Sequence, residues 1–347
     1  MINSLPNILI GNNNIDLPSN PIYPPPTRMV GPVQLFPADY YFNQPVSALP
    51  LDPQSSQKIA AMGVGRLGSE PEFALNVVSG PQVPGNITWG ASVESDGGNY
   101  PINASTLLGS YVFGTPQTVG NNTNFGGDNH IIIVNTDTGL LYETFGLSNN
   151  VPPYGISNGA IWDLNSYQLR SACKLIPPVA DPYGLTSADA AGMPIWPLVL
   201  THAEAFAGKP ILHGFRFTLS PSVAAPGFIW PATHAAGGDI TNAPAVVLGT
   251  TFRLAASFDV SPFPAWFQPI LTALKTYGLY FADNGTGGLI SADADQAWGD
   301  PNSSTSDTWI INGLFHSIPF SALEIVDNQA RVISTTSGQV RPWWPAR

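Results

Sequence analysis

The run His130-Ile131-Ile132-Ile133-Val134 constrains the fold of this chain more than any other segment. Isoleucine and valine are stiff at χ1 and favour strands, and an unbroken apolar run leaves no face for water. It predicts a central strand buried on both sides. Asp137-Thr138-Gly139 follows as a turn and Leu140 to Phe145 returns as a second strand, so a hairpin is expected here.

The rest of the chain supports short elements of the same kind. With 34 glycines and 35 prolines in 347 residues, turns are frequent and long helices have little room. Leu212 to Leu219 alternates, with His213, Phe215, Phe217 and Leu219 on one face and Gly214, Arg216 and Thr218 on the other. Further strands are expected around Val77-Val78, Val83, Ile87 to Trp89, Phe228 to Trp230, Thr251 to Phe258 and Leu279 to Phe281. Helical spacing places a helix between Pro264 and Gly278 and a shorter one from Asp52 to Gly63. Thr186 to Ala191 reads as a helix-like segment with Asp189 near its N-terminus. Apolar residues, at 44%, suffice for a sizeable core. The expected fold is mostly β: a single large β-sandwich or jelly-roll-like domain with a few short helices. It spans 31–335, after a Pro/Asn-rich N-terminal arm (1–30) and before a C-terminal tail (336–347).

Charge narrows the partners. The net charge is −11 with only 12 Lys plus Arg, so no basic stripe exists to follow a phosphate backbone, and no nucleic acid is expected. A neutral ligand suits this field better than a polyanion. No apolar run approaches the ~18 residues of a membrane span. One cysteine, Cys173, rules out an intrachain disulfide. Abundant Asn, Thr, Ser, Gly and Trp beside few Lys and Glu point to a secreted, extracellular chain.

Metalloprotease, nucleophile-elbow, P-loop and dinucleotide-binding motifs are all missing. The candidate site residues are therefore the few charged groups in an uncharged background. Asp128 and His130 stand two apart at the mouth of the apolar strand; a strand beginning at Asp128 would put both on one face, carboxylate beside imidazole. Asp163 follows Trp162, where burial would raise its carboxyl and an Asx-turn would employ it structurally. The alanines around Asp189 leave space beside its carboxylate. His202 and Glu204 form another i, i+2 pair, and the scarcity of Glu makes Glu204 a general-acid candidate. Arg216, on the polar side of its strand, suits a carboxylate or carbonyl partner. His234, after Trp230-Pro231, belongs to a loop above a sheet. Asp283 and Asn284 end a strand and enter the flexible Gly285-Thr286-Gly287-Gly288. The histidine spacings match no compact transition-metal pattern, so no cofactor is expected beyond a structural calcium on Asp293, Asp295 and Asp300.

Several of these segments occur together in a set order: Phe36-Pro37-Ala38-Asp39, Asp128-Asn129-His130, Leu141-Tyr142-Glu143, Trp162 to Ser166, Thr186 to Gly192, Trp230 to His234, Lys275 in its helix, and Ala282 to Gly285. In this the chain resembles a family of largely uncharacterised secreted bacterial proteins with TSADAAG, WPAxH and ADNG motifs. The resemblance covers about residues 36–327. Departures are Asn129, where the family often has Arg, and an insertion around Cys173 to Tyr183. It implies a secreted module working beside carbohydrate-binding or immunoglobulin-like domains, and polysaccharide work only by that association.

Two functions follow as expectations. One is a secreted carbohydrate-active protein, a glycoside hydrolase using carboxylate acid/base chemistry, with a polysaccharide lyase less favoured by the net acidity. Asp189 and Asp283 are its first acids, with Asp128, Asp163 or Glu204 as replacements. His130 and His234 orient substrate or move protons. Arg216 or Lys275 stabilises charge, and Trp230 and Asn284 line the substrate. The other is a non-catalytic glycan-binding or self-assembling subunit whose terminal arms clasp neighbours. Acids gathered in one groove would favour the first, and acids dispersed over turns the second.

Overall fold

A computed structural model of the chain describes residues 28–170, 174–176, 179–181, 185–241 and 244–341. Residues 1–27 of the N-terminal arm, residues 342–347 of the tail with the tandem Trp343-Trp344, and Cys173 lie outside them. The fold is mostly β, built around two mixed sheets. In chain order their strands are β1 (Gly68–Phe73), β2 (Leu75–Val78), β3 (Ile87–Trp89), β4 (Ile131–Asn135), β5 (Leu140–Asn149), β6 (Tyr154–Asp163), β7 (Phe215–Leu219), β8 (Thr251–Leu254), β9 (Leu279–Asn284), β10 (Leu289–Asp293) and β11 (Leu323–Ile325). The larger sheet has the order β11-β8-β9-β7-β10-β1, the smaller β2-β4-β5-β6-β3. Only Ala74 separates β1 from β2, so the chain steps from the edge of one sheet to the edge of the other within a single residue.

The predicted hairpin forms as β4 and β5, antiparallel from Ile131↔Thr144 to Asn135↔Leu140. Its apolar run is buried on both sides because two cores meet it. Ile132 and Val134 face the main core. Ile131 and Ile133 face a second core with Tyr100, Leu108 and Val119.

In the larger sheet, the alternation read in the sequence separates two environments. Phe215, Phe217 and Leu219 of β7 are fully buried in the main core. Helix α3 (Gln268–Thr276) contributes Ile270, Leu271 and Leu274 to the same core. Gly278 ends that helix at φ +79°, where a Cβ would stand 2.3 Å from the Phe252 carbonyl oxygen; only glycine fits. The expected short helix is α1 (Ser55–Ala61). Two more lie among the described residues, α2 (His202–Phe206) and α4 (Asp307–Phe315).

Some expected elements are shorter or different. The strand near 228–230 is instead Ala224–Phe228, and that from Thr251 ends at Leu254. No strand forms at Val83. Residues 186–191 form a turn and not a helix. Ser187 Oγ accepts from the Asp189 N–H at 2.9 Å and Gly192 N–H donates to the Asp189 carbonyl, so side-chain bonds replace a helical ladder. Residues 336–341 still pack on the domain: Gln339 bridges to Tyr40 and Val340 is buried. No helix of the described residues is long and apolar enough to cross a membrane.

Candidate functional site

Arg216 is the centre of the site. It is 1% exposed on β7, yet it is ringed by acids from three parts of the chain. Its Nη2 donates to Asp283 Oδ2 at 2.8 Å and to Asp189 Oδ1 at 3.0 Å. Its Nε also reaches Asp189 Oδ1, at 3.3 Å. Nη1 donates to Ser291 Oγ at 2.7 Å and lies 3.6 Å from Glu72 Oε2. The Phe73 ring lies beside the guanidinium, 5.0 Å from centroid to Cζ.

Strand register explains this convergence. β7 and β10 run antiparallel with Phe217↔Ile290, which sets Ser291 across from Arg216. Ser291 in turn pairs with Glu70 of β1; the register then slips from Ala292↔Pro71 to Asp293↔Phe73, so Glu72 is the extra residue of a bulge, and its Oε2 lies 3.4 Å from Ser291 Oγ. Asp283 reaches that face through a bulge. β7 and β9 pair in parallel as Phe217↔Phe281 and then Thr218↔Asp283, so Ala282 is the extra residue and Asp283 shares the side of Thr218 and Arg216. Asp189 arrives from the 186–192 turn laid over the sheet, anchored by the Ala191 N–H donating to the Ala282 carbonyl.

Asp128 and His130 close the site from the smaller sheet. A ring nitrogen of His130 and one carboxylate oxygen each of Asp128 and Glu72 lie within 4.8 Å of one another. The geometry differs from the sequence expectation. β4 begins only at Ile131, and Asn129 takes φ 43°, so a left-handed kink and not a continuous strand brings the two side chains together. The kink is held by Asn129 Nδ2 donating to the Asn124 and Gly127 carbonyls. Gly109 lets the walls approach: a Cβ there would stand 2.6 Å from the Glu72 carbonyl oxygen and 3.3 Å from His130 Cβ.

Burial is graded across the cluster. Asp189 is wholly enclosed, while Asp283 and Glu72 each keep a quarter of the side chain exposed at the lip. Asp128 is exposed. Burial pushes the Asp189 and Glu72 carboxyls up to about 7 against the pull of Arg216. Burial raises Asp283 too, again opposed by Arg216. Burial disfavours the charge on Arg216, but Asp189, Glu72 and Asp283 outweigh it and hold the guanidinium charged. Asp189 Oδ2 is buried without a partner.

Other sequence candidates sit apart from this cluster or brace it. His234 Nδ1 donates to the Ala190 carbonyl at 2.7 Å, steadying the 186–192 turn. Asn284 Nδ2 donates to the Gly237 carbonyl, and its Oδ1 is buried without a partner. Glu204 is not in the cluster. It forms the capping box of α2 with Thr201 and pairs with Arg28 and His213. Lys275 Nζ ties the Ala256 and Phe258 carbonyls. Asp163 makes the Asx-turn, accepting from the Asn165 N–H at 2.9 Å. Trp230 is buried against Tyr41, its indole N–H given to the Ser337 carbonyl. Of the suggested calcium oxygens, Asp293 accepts from Trp298 Nε1 and the His202 N–H. Asp295 and Asp300 each close a local turn.

Glu72 and Ser291 were missed by sequence reasoning. The signal was Glu70-Pro71-Glu72, two scarce acids at strand spacing; Pro71 is tolerated between them because β1 is an edge strand. Comparison of the chain with family models, curated proteins and solved structures finds no match.

Proposed function

We propose that the protein is a secreted carbohydrate-active hydrolase that cleaves a neutral polysaccharide by carboxylate acid/base chemistry in the cleft over Arg216. The observation that carries this reading is the gathering of Asp283, Glu72 and Asp128 at one lip above a buried arginine. Dispersed acids would have favoured a binding or assembly subunit.

Glycoside hydrolysis needs one carboxyl that gives a proton to the leaving oxygen and a second carboxylate across the bond. Asp283 suits the first role. It is raised by burial, held in place by Arg216 and open to the cleft. Asp128, exposed in the segment that leads into β4, suits the second, where it holds the attacking water. Asp189 is enclosed and acts as a positioning residue through Arg216. Secretion and a glycan substrate rest on the low charge, the net acidity that disfavours polyanions, and the family resemblance.

The test is release of reducing ends from a panel of neutral and acidic polysaccharides. Release from a neutral glycan should fall about 10²–10⁴-fold in Asp283→Asn, the range of general acid catalysis, with the melting transition retained. Release from none of the neutral glycans would refute the hydrolase reading.

A further inference from the structure

We propose that Glu72, Asp128 and His130 form a binding site for one divalent transition-metal ion, of which zinc fits the donor set best. The site lies at the junction of the two sheets. This goes beyond the hydrolase reading, since the ion would bind whether or not a glycan is cleaved.

His130 makes the case. A neutral imidazole has one N–H and one lone pair. Nδ1 lies 3.1 Å from the Thr144 carbonyl oxygen, which can only accept, so Nδ1 carries the hydrogen and Nε2 the lone pair. His130 is 2% exposed, and its Nε2 has no hydrogen-bond partner. A buried acceptor left unmatched is unfavourable, and a cation at this point would satisfy it. The Nδ1 bond to a backbone carbonyl is also the outer contact that commonly fixes the tautomer of a metal-binding histidine. Phe73 and Phe145 hold the ring, at centroid distances of 5.0 and 5.5 Å.

The two carboxylates complete a facial set. Ligand atoms about 2.1 Å from a tetrahedral ion stand about 3.4 Å apart. The observed atoms lie within 4.8 Å of one another, so closure needs roughly an ångström of side-chain movement. His130 is fixed, but Asp128 is exposed and Glu72 partly so, and both can turn inward. One nitrogen and two oxygens suit zinc or manganese better than calcium, which prefers an all-oxygen shell. Three protein ligands leave a position open toward the cleft, as catalytic zinc sites do. Asp189 and Asp283 offset the charge of Arg216, whose Nη1 lies 3.6 Å from Glu72 Oε2.

The experiment is calorimetric titration of the full chain, stripped with chelator and returned to chelator-free buffer, with zinc, manganese and calcium chlorides. Asp128→Asn and Glu72→Gln alter the lip and leave the buried histidine in place. Asp137→Asn, exposed at the far end of β4, is the control. One zinc per chain is expected. Its affinity should fall at least about 100-fold in either ligand variant, because loss of even an outer partner of a ligand costs 10–100-fold. The control should bind as the parent does. Absence of saturable binding, or zinc binding that both ligand variants leave unchanged, would overturn the site. Calcium binding more tightly than zinc would overturn the transition-metal assignment. Because binding is read directly, none of these outcomes depends on hydrolysis.

Discussion

Two buried acidic centres, one on each sheet, show how similar chemistry serves different ends. Glu143 on β5 is fully enclosed and fully satisfied: its carboxylate accepts the Ile195 and Trp196 N–H groups at 2.8–3.0 Å and the Trp162 indole N–H at 3.0 Å. Burial pushes it up to about 7, opposed by those donors, and nothing around it opens to solvent. At Arg216, three carboxylates compete for one guanidinium, Asp189 Oδ2 goes unpartnered, and the lip is open. A carboxylate whose lone pairs are all matched is a structural pin. One that shares its partner and meets solvent has chemistry left over.

Arg216→Met should break the comparison most sharply. It leaves Asp189 enclosed without a counter-charge and is expected to destabilise the fold by about 3–5 kcal/mol in chemical denaturation. Adding Asp189→Leu should recover most of that loss, because a buried ion pair replaced by apolar groups is often near neutral. Failure to recover would mean that the 186–192 turn depends on the carboxylate itself. At the other centre, Glu143→Gln turns an amide N–H₂ toward N–H donors and should cost about 2–3 kcal/mol, measured the same way. Any hydrolysis by its folded fraction should persist, whereas Arg216→Met should abolish it.

Acidity separates the groups more gently. Burial raises Glu143 and Asp189 to about 7 and Asp293 to about 6. A raised carboxyl keeps its proton in the folded state after the unfolded chain has lost it, so its stabilisation is complete below the unfolded value and is lost as pH rises through the folded one. Glu204 runs the opposite way. Despite its burial, the charges of Arg28 and His213 depress it, so its contribution is present above the unfolded value and lost on strong acidification. Melting curves taken with chelator should therefore rise by several degrees from pH 8 to about 5 and fall again below about 4. A curve flat from pH 5 to 8 would contradict the raised carboxyls. The smallest effect belongs to the lip. Asp128→Asn is exposed and should change stability by no more than about 0.5 kcal/mol, while removing metal affinity and hydrolysis.

Much of this was legible locally. The alternation of 212–219 separated Arg216 from the core face, and the strand end before the glycine-rich loop marked Asp283. Asp128 and His130 were paired correctly in space but for a different reason, since the kink at Asn129 replaces the continuous strand. What stayed hidden depends on distant contacts. The bulge at Ala282 that aims Asp283, the lateral pairing that brings β1 to β10, and the turn that carries Asp189 over the sheet have no local periodicity. Glu143 resembled any residue of a hairpin strand, because its donors come from residues 162 and 195–196.

The single-residue step at Ala74 has a mechanical consequence. Glu72 stands two residues before it on one sheet, and its neighbours Asp128 and His130 belong to the other, so the width of the cleft is tied to the angle between the sheets. Whatever bridges those three side chains ties the edge strand of one sheet to the segment that enters the central hairpin of the other.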